Sequence, residues 1–250
     1  PQMKEVFDIS ADHLAPNELI NAMLKAQVDL IWNGGIGTYV KSSKESHADV
    51  GDKANDTLRV DGRELRARVV GEGGNLGMTQ LGRVEYGLNG GSSNTDFIDN
   101  AGGVDCSDHE VNIKILLNET VAAGDMTGKQ RNKLLAEMTD AVGSLVLGNN
   151  YKQVQALSLA QYRVRDRVGE YKRLMAALEN AGKLDRALEF LPSDEELNER
   201  TANGLGLTRP ELSVLISYSK IDLKESLLKS TVPDDEYLAR EMETAFPPLL

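Results

Sequence analysis

Cysteine is almost absent from this sequence, with Cys106 alone among 250 residues. A single thiol excludes an intrachain disulfide and a cysteine-based zinc cluster, which is the cysteine usage expected in a reducing compartment. The three histidines, His13, His47 and His109, show no metal-ligand spacing, so we predict no metal site. We therefore expect a cytoplasmic protein that does not depend on a structural metal.

Long apolar runs and an excess of positive charge are also missing. No apolar stretch approaches the roughly 18 to 20 residues that cross a bilayer, and no signal segment opens the chain. The formal net charge is -11, whereas nucleic-acid binding draws its affinity from clustered Lys and Arg. These absences argue against both a membrane and a nucleic acid as partner.

Apolar residues make up 40% of the chain, which is enough for a real core, and strand signals alternate with helix signals in its first half. Residues 16–26 predict a short amphipathic helix, and the apolar run 28–32 predicts a buried parallel strand. A second strand is predicted over 67–71. Residues 87–95 are rich in Gly, Ser and Asn and predict a loop.

Two Gly/Asn turns follow the predicted strands, and in parallel α/β sheets such turns lie where ligands bind. The first turn contains Asn33 and Gly34, and the second contains Gly73, Gly74 and Asn75. Glycine lets a bound group approach the backbone, and the Asn75 amide offers both a donor and an acceptor. The alternatives are a first turn that needs positive φ and an asparagine in a left-handed turn. No G-x-G-x-x-G fingerprint is present, so the residues alone leave both interpretations open.

Ser107 and Glu110 satisfy the S-x-x-E capping box, which predicts a helix from 108 to about 123. Ser107 then has two interpretations, a structural cap or a ligand contact at the positive end of the helix. His109 has no visible partner and is predicted to be a surface histidine. The residues predicted to face inward are Val111, Ile115, Leu116 and Leu117.

From residue 125 onward only helix signals remain. Three more capping boxes predict helix starts near 128, 194 and 209, namely Thr127 with Gln130, Ser193 with Glu196 and Thr208 with Glu211. Two interleaved sevenfold series over 151–182 predict packing within a helical bundle rather than a dimeric coiled coil. Their members are Leu157, Val164, Tyr171 and Leu178, and Val154, Gln161, Val168 and Met175.

Four long strings resemble glutamate dehydrogenases, specifically the large bacterial NAD-specific class. They are DLIWNGGIGTYVK, VVGEGGNLGMTQLGRVEY, NTDFIDNAGGVDCSDHEVNIKILLN and GLTRPELSVLISYSKI, and the resemblance covers essentially all 250 residues. It implies an α/β fold class, in which residues 1–124 are the second half of a Rossmann-like NAD-binding domain with parallel strands. Residues 125–250 are then an all-α C-terminal domain.

The shorter hexameric glutamate dehydrogenases share an EGAN-like turn at Glu72 to Asn75 and an NAGGV turn at Asn100 to Val104. This resemblance implies that Asn75 and Asn100 contact the nicotinamide and its ribose, and that Ser107 contacts the substrate carboxylate. The set of cofactor-binding residues that we predict is completed by Asn33, Gly34, Gly73 and Gly74. One departure is that Gly74 stands where the hexameric family has Ala.

The resemblance implies a homo-oligomeric enzyme that oxidatively deaminates L-glutamate to 2-oxoglutarate and ammonia with NAD. In the family, the catalytic Lys and Asp and the Gly-rich pyrophosphate loop precede the region represented by this chain. Since hydride transfer needs cofactor and amino acid held face to face, we expect this chain to be inactive by itself. The alternatives are a non-catalytic helical interaction or oligomerisation module and a dehydrogenase for another amino acid.

Overall fold

The computed structural model of this protein describes residues 2–250, with side chains from Met3 onward, as a mostly helical α/β structure. The helices are α1 (Gln2–Phe7), α2 (Pro16–Leu24), α3 (His47–Val50), α4 (Gln80–Leu88), α5 (Asp96–Asp99), α6 (Ala101–Ala123), α7 (Gly128–Glu137), α8 (Thr139–Arg163), α9 (Val168–Asn180), α10 (Asp194–Ala202), α11 (Arg209–Leu228) and α12 (Arg240–Thr244). The strands are β1 (Leu30–Asn33), β2 (Val40–Lys41), β3 (Val60–Asp61), β4 (Val69–Glu72) and β5 (Ser92–Ser93). Within residues 2–250, none of these helices combines the length and the apolar character that a bilayer crossing requires.

The chain divides into two compact units. The first comprises the residues up to Asn100 together with Ala156–Tyr218, and the second comprises Ala101–Gln155 together with Ser219–Leu250. All strands belong to the first unit. The boundary predicted at residue 124 for the domains of the intact enzyme stays a prediction.

A parallel sheet in the order β1-β4-β5 organises the first unit. The mixed α/β class and the two predicted strands, β1 and β4, are confirmed. The prediction that β1 is buried is wrong, because Leu30 and Trp32 are 56% and 61% exposed. Of the residues in the predicted run, Val28 and Ile31 pack against the apolar core. Strands β2 and β3 form a separate parallel pair.

Strand β5 lies inside the segment for which the sequence predicts a loop, and so does the end of α4. That prediction is wrong because β5 is held by backbone pairing, with the Ser92 N–H donating to the Arg68 carbonyl oxygen at 3.1 Å. Ser92 and Ser93 pair in parallel with β4, and such short polar strands carry no apolar pattern.

One apolar core of the first unit lies against one face of the sheet. Tyr86 of α4 is buried there, and its hydroxyl donates to the Ala67 carbonyl oxygen at 2.8 Å. This hydrogen bond satisfies the hydroxyl, so Tyr86 can be buried without leaving an unpaired polar group. The buried members of this core are Val40, Val60, Leu65, Ala67, Val70, Met78 and Tyr86.

Helix α6 begins at Ala101, so the prediction of a helix start at 108 is wrong. The one-turn helix α5 ends at Asp99, and after Asn100 alone the chain continues as α6. The inward-facing prediction is also wrong for Val111, Ile115 and Leu116, which are exposed. The buried stripe of this helix is His109, Ile113 and Leu117, and a histidine in that stripe hides its period from an apolar pattern.

The other predicted helix starts are confirmed. Helices α7, α10 and α11 begin at Gly128, Asp194 and Arg209, directly after the predicted caps. The packing predicted for residues 151–182 is confirmed as well, since Leu157 and Met175 are fully buried. The helix is interrupted between α8 and α9, and the apolar series continues across that interruption.

Candidate functional site

The two Gly/Asn turns meet at one edge of the sheet. Asn33 at the end of β1 stands opposite Glu72 at the end of β4, and the Gly73 N–H donates to the Asn33 carbonyl oxygen at 2.7 Å. Because parallel strands place their carboxyl ends together, the turns after β1 and β4 become neighbours. The turns singled out in the sequence are therefore brought together in the fold.

Asn75 and Asn100 are joined directly. The Asn100 side-chain amide donates to the side-chain oxygen of Asn75 at 2.7 Å. The backbone of Asn100 is fixed by its N–H, which donates to the Asp96 carbonyl oxygen at 2.7 Å. Asn75 is exposed and Asn100 is half-buried, so both amides remain accessible to a ligand at the sheet edge.

A buried ion pair underlies the second turn, and no sequence pattern indicated it. Glu72 is fully buried, and its two oxygens accept hydrogen bonds from Arg83 of α4 at 2.7 and 2.8 Å. Arg83 also lies 3.0 Å from an oxygen of Asp96. Burial lowers the pKa of Arg83, but Glu72 and Asp96 outweigh that effect and hold it above its ordinary value, so Arg83 is a cation.

The turn after β4 is pinned by two carboxylates. Glu72 accepts a hydrogen bond from the Met78 N–H at 3.1 Å, and Asp96 accepts one from the Leu76 N–H at 2.8 Å. Leu76 has a φ of 55°, so the left-handed residue of this turn is Leu76 and not Asn75. In the first turn positive φ falls on Gly37 and not on Gly34. The left-handed alternative is therefore wrong for Asn75, whereas the first turn does contain a positive φ, at Gly37.

The glycines of the second turn allow close packing against the first. A Cβ placed at Gly73 would lie 2.6 Å from Cζ2 of Trp32, and one placed at Gly74 would lie 2.5 Å from the Gly35 carbonyl oxygen. At Gly34 the nearest atoms are 3.6 Å away, so a side chain would fit there. A side chain at Gly74 would thus force the backbone at Gly35 to shift, whereas one at Gly73 would displace the exposed side chain of Trp32.

Asn33 presents a buried amide nitrogen toward this region. Its Nδ2 has no hydrogen-bond partner among the residues that the structure describes, and its Oδ1 accepts only a long bond from the Gly35 N–H at 3.4 Å. A Cβ at Gly77 would lie 2.0 Å from that nitrogen. Asn33 also lines a largely apolar cavity of about 220 Å³ beside α2 and β1.

Ser107 and His109 belong to the second unit, and both structural interpretations made from the sequence are wrong. Ser107 lies exposed inside α6 rather than at its N-cap, and Glu110 pairs with Lys114. His109 is 8% exposed rather than a surface residue. Its Nδ1 is 2.8 Å from the Asp105 carbonyl oxygen and its Nε2 is 3.0 Å from that of Ala245.

A small parallel sheet, with two hydrogen-bonded asparagines on the turns after β4 and α5, places the chain in the α/β class. Comparison with protein families shows which α/β family the chain belongs to. Residues 1–160 match the family described as bacterial NAD-glutamate dehydrogenase, catalytic domain, and residues 204–250 match the family described as glutamate dehydrogenase, C-terminal. The chain therefore belongs to the bacterial NAD-glutamate dehydrogenase family.

The chain is similar in sequence to three proteins named NAD-specific glutamate dehydrogenase. Over 250 residues the chain is 82% identical to the NAD-specific glutamate dehydrogenase of Pseudomonas aeruginosa and 64% identical to that of Halomonas elongata. It is 46% identical over 243 residues to that of Mycobacterium tuberculosis. The matches cover 100%, 100% and 97% of this chain but 15%, 16% and 15% of those relatives. The resemblance to a large bacterial enzyme, of which this chain spans a small part, is confirmed.

Proposed function

We propose that this chain supplies one wall of the NAD site of a large glutamate dehydrogenase. The intact enzyme, a cytoplasmic homo-oligomer, oxidatively deaminates L-glutamate to 2-oxoglutarate and ammonia. In this proposal β1, β4 and β5 belong to the second half of a Rossmann-like domain. The observation that carries the proposal is the 2.7 Å hydrogen bond between Asn75 and Asn100 at the carboxyl edge of the sheet.

The polar groups at this edge fit a nicotinamide and its ribose. Because Asn75 Oδ1 accepts from Asn100 Nδ2, the Asn75 Nδ2 remains a donor and the Asn100 Oδ1 remains an acceptor. A carboxamide requires one donor and one acceptor, and a ribose hydroxyl can use either. The buried Nδ2 of Asn33 is a further donor that a ligand or water would satisfy.

Bound NAD would supply the hydride acceptor, while the residues of this chain bind and orient it. Asn75 and Asn100 hold the nicotinamide end, and Glu72 with Arg83 keeps the turn that carries Asn75 in place. The backbone at Asn33, Gly34, Gly73 and Gly74 lines the same edge of the sheet. We further propose that Ser107 binds the substrate carboxylate through its exposed hydroxyl.

The alternative of a non-catalytic helical module has less support, because the family model that matches residues 1–160 is that of a catalytic domain. Since this chain has no candidates for the catalytic Lys and Asp, the isolated 250 residues should form no NADH from glutamate and NAD. Measurable glutamate-dependent NADH formation by the isolated chain would contradict this part of the proposal.

The substrate assignment is tested in the intact enzyme with Ser107→Ala. We expect a raised KM for glutamate, by roughly tenfold for the loss of a hydrogen bond to a charged group, and an unchanged affinity for NADH. Ser144→Ala is a matched control, because Ser144 is another exposed helical serine of the same unit. A variant that weakens NADH binding but leaves the KM for glutamate unchanged would refute the role of Ser107.

A further inference from the structure

Arg209, the first residue of α11, makes contacts that the proposed function does not use. Its Nε donates to Asn94 Oδ1 at 2.5 Å, its Nη1 donates to Gln161 Oε1 at 2.9 Å, and its Nη2 donates to Ser158 Oγ at 3.1 Å. Arg209 is half-buried, and its planar guanidinium can satisfy these directions together. The guanidinium is therefore held in one orientation by two other segments of the first unit, the chain just after β5 and the last turns of α8.

Asn94 connects Arg209 to Asp99, which lies nearer the edge of the sheet, through hydrogen bonds of its side-chain amide. Because its Oδ1 accepts from Arg209, its Nδ2 is the atom that faces Asp99, and it donates to Asp99 Oδ1 at 2.6 Å. A flipped Asn94 amide would set its oxygen against the carboxylate of Asp99 and its nitrogen against the cation. Arg209 and Asp99 together thus fix which way the amide of Asn94 points.

Asp99 is the last link before the proposed cofactor contacts. Its second oxygen accepts the Glu72 N–H at 3.1 Å, which ties α5 to the end of β4. The next residue along the chain is Asn100, whose amide reaches Asn75. Three hydrogen bonds, each with a charged group as one partner, therefore run from Arg209 through Asn94 and Asp99 to the Glu72 N–H, and the peptide link from Asp99 to Asn100 leads on to Asn75.

We propose that Arg209 is a positioning residue for NAD, which acts through Asn94 and Asp99 to hold Asn100 against Asn75. This inference rests on the proposed function, because it requires that the two asparagines contact the cofactor. It places a determinant of cofactor affinity within residues 204–250, the segment that matches the C-terminal family rather than the catalytic-domain family.

The test is an NADH titration of the intact enzyme without glutamate, followed by the fluorescence of the bound nucleotide. Arg209→Met should weaken NADH binding by about five- to tenfold, as expected when a hydrogen bond to a charged group is lost. It should raise the KM for NAD while leaving the KM for glutamate unchanged. Arg209→Lys should restore part of the affinity, because an ammonium can replace some but not all of the three donors.

A second variant tests the hydrogen bonds from Arg209 through Asn94 to Asp99 without removing the arginine. Asn94→Asp keeps an acceptor for Arg209 but replaces the donor toward Asp99 with a second carboxylate oxygen. We expect it to weaken NADH binding as Arg209→Met does, and to increase hydrogen exchange at the Glu72 N–H. The double variant should lose less affinity than the sum of the two single losses. Arg167→Met is the control, since the Arg167 guanidinium forms an exposed ion pair with Glu170 at 3.3 Å.

Two results separate this inference from the proposed function. Wild-type NADH affinity in both Arg209→Met and Asn94→Asp, with weakened binding in Asn100→Ala, would overturn the role of Arg209 alone. Wild-type affinity in Asn100→Ala would overturn the cofactor contact itself and the positioning role with it. An equal loss of affinity in Arg167→Met would show a nonspecific effect and would also overturn the role of Arg209.

Discussion

The side-chain amide of Asn100 donates a 2.7 Å hydrogen bond to the side-chain oxygen of Asn75. The two residues lie on different turns, one directly after β4 and the other directly after α5. Their contact fixes the orientation of both amides, and so it also fixes which nitrogen and which oxygen remain for a ligand. The polar pattern offered at this edge of the sheet is therefore set before any ligand arrives, which lowers the ordering cost of binding.

Gly74 provides a test of how tightly the two turns pack. In Gly74→Ala the new Cβ would lie 2.5 Å from the Gly35 carbonyl oxygen, so backbone must move. Overpacking of this kind costs about 1–3 kcal/mol, and the displaced turn carries Asn75. We expect weaker NADH binding by the intact enzyme, measured by titration, although the hexameric family has Ala at this position.

Gly35→Ala is the matched control for that substitution. No atom lies within 4 Å of a Cβ placed at Gly35, and this residue faces Gly74 across the same contact. NADH affinity should therefore stay near that of the unsubstituted enzyme. Equal affinities in Gly74→Ala and Gly35→Ala would show that the close approach of the turns has no role in binding.

The buried pair of Arg200 and Glu211 is predicted to stabilise the first unit only while both partners are present. Glu211 is fully buried and accepts from Arg200 at 2.8 and 2.9 Å and from the Thr208 N–H at 2.6 Å. Arg200→Met leaves this carboxylate without its cation, and such changes cost about 3–5 kcal/mol. Burial already raises the pKa of Glu211, so the variant should take up a proton there. Urea unfolding of the 250-residue chain measures the loss.

Two further variants check this explanation. Arg200→Met combined with Glu211→Gln should recover part of the stability, because no charge remains buried while Thr208 keeps an acceptor. Arg167→Met, which removes an exposed ion pair, should cost no more than about 1 kcal/mol. If Arg200→Met is as mild as Arg167→Met, the buried pair does not hold the start of α11.

Tyr218 is predicted to make stability depend on pH at the alkaline end. Its hydroxyl donates to Glu189 Oε1 at 2.7 Å, and this hydrogen bond, followed by burial, raises the pKa of Tyr218 from 10.0 to about 12. Since the folded pKa exceeds the unfolded one, the contact stabilises the fold below about pH 10. That stabilisation is lost as the pH rises through about 12.

Tyrosine absorbance at 295 nm, followed during alkaline titration of the chain, measures this group. Tyr218→Phe should remove the amplitude of one tyrosine from the change near pH 12, and Glu189→Gln should move that amplitude to lower pH. Tyr162→Phe is the control for the loss of any one tyrosine, because Tyr162 is 86% exposed. An unchanged transition near pH 12 in Tyr218→Phe would contradict the assignment.

The sequence predicts those elements whose signals are local. Strand β1 follows from one apolar run, and the starts of α7, α10 and α11 follow from cap residues directly before them. The same local rule fails at Ser107, because Asn100 has already connected α5 to α6 and no new cap is needed. A capping box is compatible with a helix interior as well as with a helix start.

The interactions that support the candidate site are not local, and no pattern in the sequence indicates them. Glu72 and Arg83 come from a strand and the following helix, and either residue alone would be predicted to be exposed. Arg209 reaches Asn94 across 115 positions of sequence. The roles that we propose for Asn75 and Asn100 follow from the family resemblance, because the residues alone left structural alternatives open.

The most direct test is an NADH titration of the intact enzyme, without glutamate, in Asn75→Ala, Asn100→Ala and the double variant. Each single change removes one polar group from the proposed nicotinamide contact and releases the other amide. We predict that each weakens NADH binding, by about tenfold, and that the double variant loses less than the product of the two effects because the residues are coupled. Unchanged NADH affinity in both single variants would contradict the assignment of this sheet edge to the cofactor.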